Sequence, residues 1–375
     1  MSLFTSRPAL RWLVPSAVAV AVIGGGAALG TVAASAEPEL PDRSAAQLLV
    51  DLQNASLDGL SGTVRTTSDL GLPSLPAGAG AGGAGIGSLL SGSHQVRVWY
   101  AGEDKQRVAL IGTVGESDII RNGKDVWTWD SKTQTATHRE LGDGEAAKPE
   151  RQLPGSLTPQ EAAEQALKAV DPTTVVEVGR NARVAGRSAY ELVLKPKDTA
   201  SLIGSVKVAV DATEHVPLRV LVYGKGADEP AFRAEFTQVD FSRPDDAQFT
   251  FTPPPGTTVT EEATPSAEER AQAEADAKEH AAQAKSESKV VGTGWTTVVV
   301  IKQPAKQPSA EKPEDGRGRG GQDPADIVSA LPQVSGDWGS GRLLKGKLFS
   351  AVVADDGRIA FGAVAPEKLY EALRG

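Results

Sequence analysis

The chain of 375 residues contains no cysteine. This absence excludes disulfides, thiolate metal sites, a cysteine nucleophile and an N-terminal lipid-modified cysteine. Histidine is scarce, and no two of the four histidines have the i, i+4 spacing of a helical metal site. A Gly-x-Ser-x-Gly nucleophile elbow is also missing. The sequence therefore predicts no enzyme activity, no catalytic residue, no metal and no cofactor.

Positive charge is in deficit as well, with 39 lysines and arginines against 48 aspartates and glutamates and a formal net charge of −9. An acidic surface does not favour nucleic acid or the anionic face of a membrane. We therefore predict no nucleic-acid partner. Because disulfides are excluded, the fold must rely on an ordinary hydrophobic core, for which the chain is long enough.

The beginning of the chain predicts export. Arg7 and Arg11 precede an uncharged stretch at residues 12–36, and Glu37 and Glu39 follow it. Basic residues before the uncharged stretch and acidic residues after it are typical of an exported chain. The small residues 34–36 fit a cleavage site, so a signal peptide is predicted, but 25 uncharged residues could also form an uncleaved membrane anchor. Both alternatives place the protein at the extracytoplasmic face of the cell membrane or outside the cell.

Residues 118–139 carry the clearest structural signal. They predict three short strands joined by tight turns at residues 122–124 and 130–132, and the Asn-Gly pair in the first turn is a strong hairpin signal. Trp127 and Trp129 lie two residues apart in the middle strand, and therefore on one face of it. The pattern indicates an up-and-down antiparallel sheet in a protein that binds something and does not convert it.

Four later segments alternate apolar and polar residues, as Val206 and Val208 do with Lys207. This period of two predicts antiparallel strands with one apolar and one polar face. The pattern fits a packed core and a ligand cavity, and the residues alone leave both open. The apolar positions of the four segments are Tyr190, Leu192 and Leu194, then Val206, Val208 and Val210, then Leu218, Val220 and Val222, and finally Phe232, Ala234 and Phe236.

Two helices are predicted beside these strands. One covers residues 41–54 with Asp42 or Ser44 as its N-cap, and another covers residues 157–170 and begins with a capping box. Composition divides the chain as follows: a signal peptide or anchor at 1–36, a sheet domain at 37–260 with a Gly/Ala-rich insertion at 71–92, a polar helical or disordered linker at 261–288, a strand at 289–301, a Pro/Gly-rich linker at 302–324 and a small α+β segment at 325–375.

Three hairpin and closing motifs support a resemblance to a known superfamily. They are Trp-x-Trp-Asp at residues 127–130, Val-Asp followed after five residues by Pro-Leu-Arg at 210–219, and Phe-x-Phe-x-Pro-Pro-Pro-Gly at 249–256. In this order the chain resembles the lipoprotein-carrier superfamily, and within it the actinobacterial LolA-family proteins. Related members are the LolB-like carriers, the N-terminal domain of RseB/MucB-type regulators and the LppX/LprG-type proteins. The resemblance covers about residues 44–260.

The resemblance implies an α+β fold in which a curved antiparallel half-barrel has helices over its concave face. It also implies an apolar space between sheet and helices that takes up acyl chains, with a lipid or a lipidated protein as partner. Alternatives are a sensor domain that binds a membrane-anchored regulator or transporter, and a structural envelope protein without ligand. The residues expected to line the space are Trp99, Trp127, Trp129, Tyr190, Leu192, Val208, Val220, Phe232 and Phe236.

Overall fold

Most of the chain lies in two β-sheets. The computed structural model describes residues 38–72, 92–112, 115–142, 172–263, 288–302 and 328–375, with a few helical residues between 268 and 276. The strands of the main sheet are β1 Leu60–Ser68, β2 Gly92–Tyr100, β3 Lys105–Ile111, β4 Glu116–Asn122, β5 Asp125–Asp130, β6 Thr135–Glu140, β7 Thr174–Val178, β8 Ala182–Val184, β9 Arg187–Pro196, β10 Ile203–Asp211, β11 Pro217–Gly224, β12 Pro230–Asp240 and β13 Thr258–Glu262.

The main sheet is open, with the order β13-β6-β5-β4-β3-β2-β1-β12-β11-β10-β9-β7, and β8 pairs with β9. Neighbouring strands are antiparallel except β13, which runs parallel to β6. Antiparallel neighbours need only short hairpins, whereas a parallel neighbour needs a crossover. This sheet and its few helices confirm the predicted α+β class with a curved, unclosed antiparallel sheet.

The predicted meander is β4, β5 and β6. Its first loop has two residues, Gly123 and Lys124, between the paired Asn122 and Asp125, and Gly123 takes the positive φ of 64°. The second loop is longer than the predicted tight turn, because Asp130 pairs with Thr135. The Asp130 carboxylate accepts the amide hydrogens of two loop residues at 3.0 and 2.9 Å, which stabilises this wider loop.

Helix α1 (Ala45–Asn54) confirms the first predicted helix and selects between its two possible caps. The Gln47 amide donates to Ser44 Oγ at 3.2 Å, and the Ser44 amide donates to Gln47 Oε1 at 2.8 Å. This reciprocal capping box fixes the beginning of the helix. Leu48 and Leu49 are the buried residues of α1, so one face of the helix packs on the sheet.

The four alternating segments are strands β9 to β12, which pair in sequence order. Asp211 begins the loop between β10 and β11 and is fully buried. The guanidinium of Arg187 donates to both of its carboxylate oxygens, at 2.5 and 2.9 Å. Such a bidentate pair offsets the cost of burying the carboxylate. Strands β7 and β8, which no pattern in the sequence predicts, extend this half of the sheet.

The second sheet belongs to the end of the chain and has the order β14-β15-β19-β18-β17-β16. The predicted strand at residues 289–301 is here a hairpin, with Trp295 in the 3₁₀ turn Gly294–Thr296 between its strands. Helix α2 (Pro366–Arg374) packs on one face of this sheet. The strands are β14 Ser288–Val291, β15 Val298–Lys302, β16 Gln333–Gly336, β17 Gly339–Lys345, β18 Ser350–Ala354 and β19 Arg358–Gly362.

The two sheets contact each other through backbone and side chains. The Leu202 amide donates to the Ala363 carbonyl at 2.8 Å, and the Lys347 amide donates to the Leu70 carbonyl at 2.7 Å. Trp295 Nε1 donates to Thr174 Oγ1 at 2.7 Å. The C-terminal segment therefore folds as an α+β unit with residues 288–302 and also docks on the main sheet.

Several predicted features lie outside the described residues: the leader, most of the insertion at 71–92, the helix at 157–170 and most of the linker at 302–324. In the part of the chain that is described, no helix is long and apolar enough to cross a membrane.

Candidate functional site

The main sheet has one apolar face, which is identified by cross-strand neighbours. Residues directly opposite each other in paired strands share a face. Leu192 pairs with Val208, and Val208 pairs with Val220. Val220 pairs with Ala234, which shares a face with Phe236 two residues further along β12. This face, called the helix-side face, continues through Val64, Val96 and Val98 of strands β1 and β2, which pack in one cluster with Phe236.

Helix α1 covers one end of the helix-side face. Its Leu48 and Leu49 pack in a buried cluster with Tyr190, Leu192 and Val208. Tyr190 Oη also donates to the Pro41 carbonyl at 2.9 Å, which ties the chain before α1 to strand β9. This end of the face is therefore closed by packed side chains.

The middle of the helix-side face is covered by a hairpin. Val184 of strand β8 is buried in the same cluster as Phe236 and Leu218, with Ala182 and Ala185 packed against it. Ala185 and Gly186 both have positive φ, as the two-residue loop between β8 and β9 requires. The hairpin therefore shields the centre of the sheet from water.

Among the described residues, no helix or hairpin covers the other end of the helix-side face. Val98 pairs with Val108, and Val108 pairs with Ile119, so Ile119 lies on the same face although its side chain is 57% exposed. Together with the half-buried Val108, Leu110 and Val126, Ile119 gives this end of the face an apolar surface, and contiguous apolar surfaces mark binding sites. We call this surface the open strip and define it as Val108, Leu110, Ile119 and Val126.

Charged groups lie at both ends of the open strip. Arg121 of β4 and Arg139 of β6 are the cross-strand neighbours of Val126 on either side. Arg121 Nε also donates to the Gly123 carbonyl at 3.2 Å. At the other end, Asp130 accepts from Ser117 Oγ at 3.3 Å. The strip therefore runs from a carboxylate to a pair of guanidinium groups.

The three predicted tryptophans lie on the opposite face of the sheet. Trp127 and Trp129 share a face, as predicted, and their rings lie 5.3 and 6.0 Å from that of Phe251. Trp99 is flanked by the guanidinium groups of Arg97 and Arg107, at 4.9 and 5.1 Å from the ring centroid. The structure thus brings Tyr190, Leu192, Val208, Val220, Phe232 and Phe236 together on the helix-side face and leaves Trp99, Trp127 and Trp129 outside that group.

The opposite face also holds a cluster of charged groups. Arg107 Nε donates to Asp118 Oδ1 at 2.8 Å, and Asp118 is almost completely buried. Burial and the neighbouring Asp118 carboxylate raise the pKa of Glu116. Each of these groups has a charged partner, and in the described residues no three histidine, aspartate or glutamate side chains are placed to hold a metal ion.

His138 joins three strands on this face. Its ring stacks on Trp127 with centroids 4.3 Å apart. Nε2 lies 2.9 Å from Asp125 Oδ1 and Nδ1 lies 2.7 Å from Glu261 Oε2. Burial lowers the pKa of His138, but the hydrogen bonds with the two carboxylates outweigh it, so the pKa is raised overall. The His138 ring therefore connects the edge strand β13 to β5 and β6.

A shallow depression of about 410 Å³ lies at the far end of the sheet. It is lined by Lys195, Lys207 and Tyr223 and by the glycines of the loop after β11. Lys195 is paired with Glu177 at 2.6 Å, and Lys207 lies over the Tyr223 ring at 5.3 Å. The lining is polar, so this depression does not suit an acyl chain.

Sequence patterns missed the open strip for a physical reason. The strand at residues 118–122 is predicted from its turns and tryptophans, and Ile119 and Ile120 follow each other in it. Adjacent residues point to opposite faces, and here Ile120 is buried while Ile119 is exposed. The elements that cover each side of the sheet decide which of the two isoleucines is exposed to water. No local sequence pattern encodes that coverage.

Comparisons with known proteins give matches only among solved structures. No family model and no curated protein matches the chain. The complex of MucA and MucB from Pseudomonas aeruginosa matches over 88% of this chain and 96% of that one, with 13% identity and a TM-score of 0.41. A LolA superfamily protein from Nitrosomonas europaea matches over 56% and 99%, with 13% identity and a TM-score of 0.20.

A further match is the domain of a putative outer membrane lipoprotein-sorting protein from Vibrio parahaemolyticus, over 54% of this chain and 95% of that one, at 10% identity and a TM-score of 0.21. The matching structures thus include the superfamily that the hairpin motifs resemble. Their identities and TM-scores are too low to indicate what this chain binds.

Proposed function

We propose that this chain is an exported, non-catalytic envelope protein that holds the acyl chain of a lipid or of a lipidated protein on the helix-side face of its main sheet. One observation carries the proposal: in the described part of the chain, Ile119 is 57% exposed on the same face of the sheet as the buried Val98 and Phe236. The same side of the sheet that forms the core under α1 is thereby presented to an outside apolar group.

The energy of such binding comes from removing methylene groups from water. Each buried methylene contributes about 0.8 kcal/mol, so about six of them laid along the open strip contribute about 5 kcal/mol before the cost of association. Phe232, Phe236 and Val220 extend the apolar surface below the strip toward α1. Tyr190, Leu192 and Val208 are packed under α1, so in this proposal they belong to the core that supports the strip and do not contact the ligand.

The charged groups at the two ends of the strip determine how a bound amphiphile is oriented along it. The guanidinium groups of Arg121 and Arg139 lie beside Val126, and guanidinium groups recognise carboxylates and phosphates. The Asp130 carboxylate at the other end repels an anion. An amphiphile with an anionic head is therefore expected to place its head at the two arginines and its chain along Ile119.

A matched pair of variants tests this proposal. Ile119→Asp places a carboxylate in the strip, whereas Val290→Asp makes a similar change in the second sheet, where Val290 is 58% exposed. Because the two side chains are equally exposed, both variants should fold alike. Ile119→Asp should weaken the binding of a fluorescent long-chain fatty acid by about ten-fold or more, since a buried carboxylate without a partner is costly. Equal binding by both variants would contradict the proposed site.

A regulatory domain that binds a membrane-anchored protein is the second candidate, and one feature favours it. Strand β13 is an edge of the main sheet, and each of its residues is exposed. An exposed edge can accept a further strand from a partner. Native mass spectrometry of protein from a related host separates the candidates: a bound lipid mass supports the carrier proposal, and apoprotein that captures a membrane-anchored partner supports the second.

A further inference from the structure

The second sheet has two faces of different kinds. On one face, α2 covers a buried cluster that includes Val300, Val352 and Ala360, with Leu369 and Leu373 of the helix packed into it. These five residues form the core of the C-terminal unit. The other face has no helix on it among the described residues.

That other face is also apolar. Val290 pairs with Val299, and Val299 pairs with Phe361, so the three share a face across β14, β15 and β19. Ile301 and Ile359 pair in the next row of the same face, and Ile359 also pairs with Val353. Val290 is 58% exposed and Phe361 is 42% exposed. We call this surface, made of Val290, Val299, Ile301, Val353, Ile359 and Phe361, the outer face.

The linkers on either side of β14 and β15 carry no large apolar side chain that could bury the outer face. Residues 264–287 and 303–326 contain no valine, leucine, isoleucine, methionine, phenylalanine, tryptophan or tyrosine. A second copy of the chain is also a poor fit. The six apolar residues lie on four strands about 4.8 Å apart, which makes the face only about 15 Å wide, whereas a stable interface buries about 800 Å² on each partner.

Charge points to a different occupant. The described residues of the C-terminal unit, 288–302 and 328–375, carry eight lysines and arginines against five aspartates and glutamates, a net charge of +3. The described residues between 38 and 263 carry 19 against 25, a net charge of −6. One of the cations, Arg342, pairs with Val353 and so lies on the outer face itself. Although the whole chain has a net charge of −9, its C-terminal unit is therefore basic and has an exposed apolar face.

We propose that the outer face docks on an anionic lipid membrane. Two features together hold a protein on such a surface. Apolar side chains enter the membrane interface, and positive charge is attracted to the anionic headgroups. The sheet backbone is hydrogen-bonded between its own strands, so only side chains need to enter the lipid. The inference does not depend on the acyl ligand proposed above, because it concerns a different sheet.

The absence of cysteine makes a site-specific test possible. Val290→Cys in the full chain carries an environment-sensitive fluorophore on the outer face, and Glu367→Cys carries it on the exposed side of α2 as the control. Vesicles of phosphatidylcholine with one quarter phosphatidylglycerol should shift the emission of the dye at position 290 to the blue and leave the dye at 367 unchanged. The shift should be lost with pure phosphatidylcholine, in 0.5 M NaCl, and in the Phe361→Glu background.

Each other outcome overturns the inference. Attachment through the leader at residues 1–36 alone would bring protein to vesicles without shifting the dye at 290. Equal shifts at 290 and 367 would mean that no particular face docks. A shift that needs no vesicles and grows with protein concentration would assign the face to a second copy. Circular dichroism of the Phe361→Glu protein checks that a lost shift is not a lost fold.

Discussion

His138 is the residue through which pH is expected to act on the fold. Its ring is held between Asp125 and Glu261, and the hydrogen bonds with these carboxylates raise its pKa against the effect of burial. A raised pKa means that the folded state binds the proton more tightly than the unfolded chain. The stabilisation is therefore complete below the ordinary value of 6.5 and is lost as pH rises through the raised pKa.

We predict that strand β13 loosens as the pH rises through the raised pKa of His138. Both carboxylates are largely exposed, so the loss is limited to about 0.2–1 kcal/mol, or at most about a five-fold drop in amide protection. Hydrogen exchange of Thr258–Glu262 at several pH values, corrected for intrinsic rates, measures it. His138→Phe keeps a ring on Trp127 and should abolish the pH dependence; the same dependence in this variant would contradict the role of His138.

At the residue scale, the sequence predicts that certain side chains lie on the same face of a strand. It does not predict which of the two faces of the sheet that is. The spacing of Trp127 and Trp129 correctly predicts a common face. It does not distinguish the helix-side face from the face where Phe251 covers both rings. Strand β4 carries a charged residue on each face, Asp118 on one and Arg121 on the other, so alternation there does not mark the outside.

At the scale of elements, the turn between β14 and β15 links the two sheets. The indole of Trp295 packs against the cluster under α1 and donates to Thr174 Oγ1. Gly294 has a φ of 55°, and a Cβ there would lie 2.0 Å from Thr173 Oγ1. The turn therefore requires glycine at 294 so that the indole can reach β7.

Trp295→Ala should loosen the C-terminal unit from the main sheet. Removing a partly buried indole and its hydrogen bond is expected to cost about 2–4 kcal/mol. Amide exchange should accelerate in Thr174–Val178 and Ser288–Val291 and stay unchanged in the distant β4 and β5. Trp295→Phe keeps most of the packing and should lose only about 1 kcal/mol. Uniform acceleration across both sheets, or none, would show that the indole is not the link.

The elements that the sequence predicts well are those with a local signal. Helix α1 has its capping box, and β9 to β12 have their alternation. Strand β13 has no such signal, because all of its residues are exposed and its pairing with β6 spans more than a hundred residues of chain. Strand β7 is short and lies at the other edge of the sheet. Such edge strands are defined by their neighbours and not by their own composition.

At the scale of the whole molecule, the chain combines two sheets with exposed apolar surfaces of different kinds. The open strip of the main sheet lies beside two arginines and is a few side chains long, which suits one acyl chain. The outer face of the second sheet is broad and belongs to a basic unit, which suits a lipid surface. In the account proposed here, the second surface holds the protein at the membrane and the first takes up the ligand.

Photolabelling with a long-chain fatty acid that carries a diazirine near its end tests whether the open strip binds an acyl chain. After illumination and trypsin digestion, we expect mass spectrometry to find the label in the peptide of residues 108–121, which contains Val108, Leu110 and Ile119. Unlabelled fatty acid should compete for it, and Ile119→Asp should lose it. Label confined to the peptide with Trp127 and Trp129, or no label that unlabelled fatty acid can displace, would contradict the account.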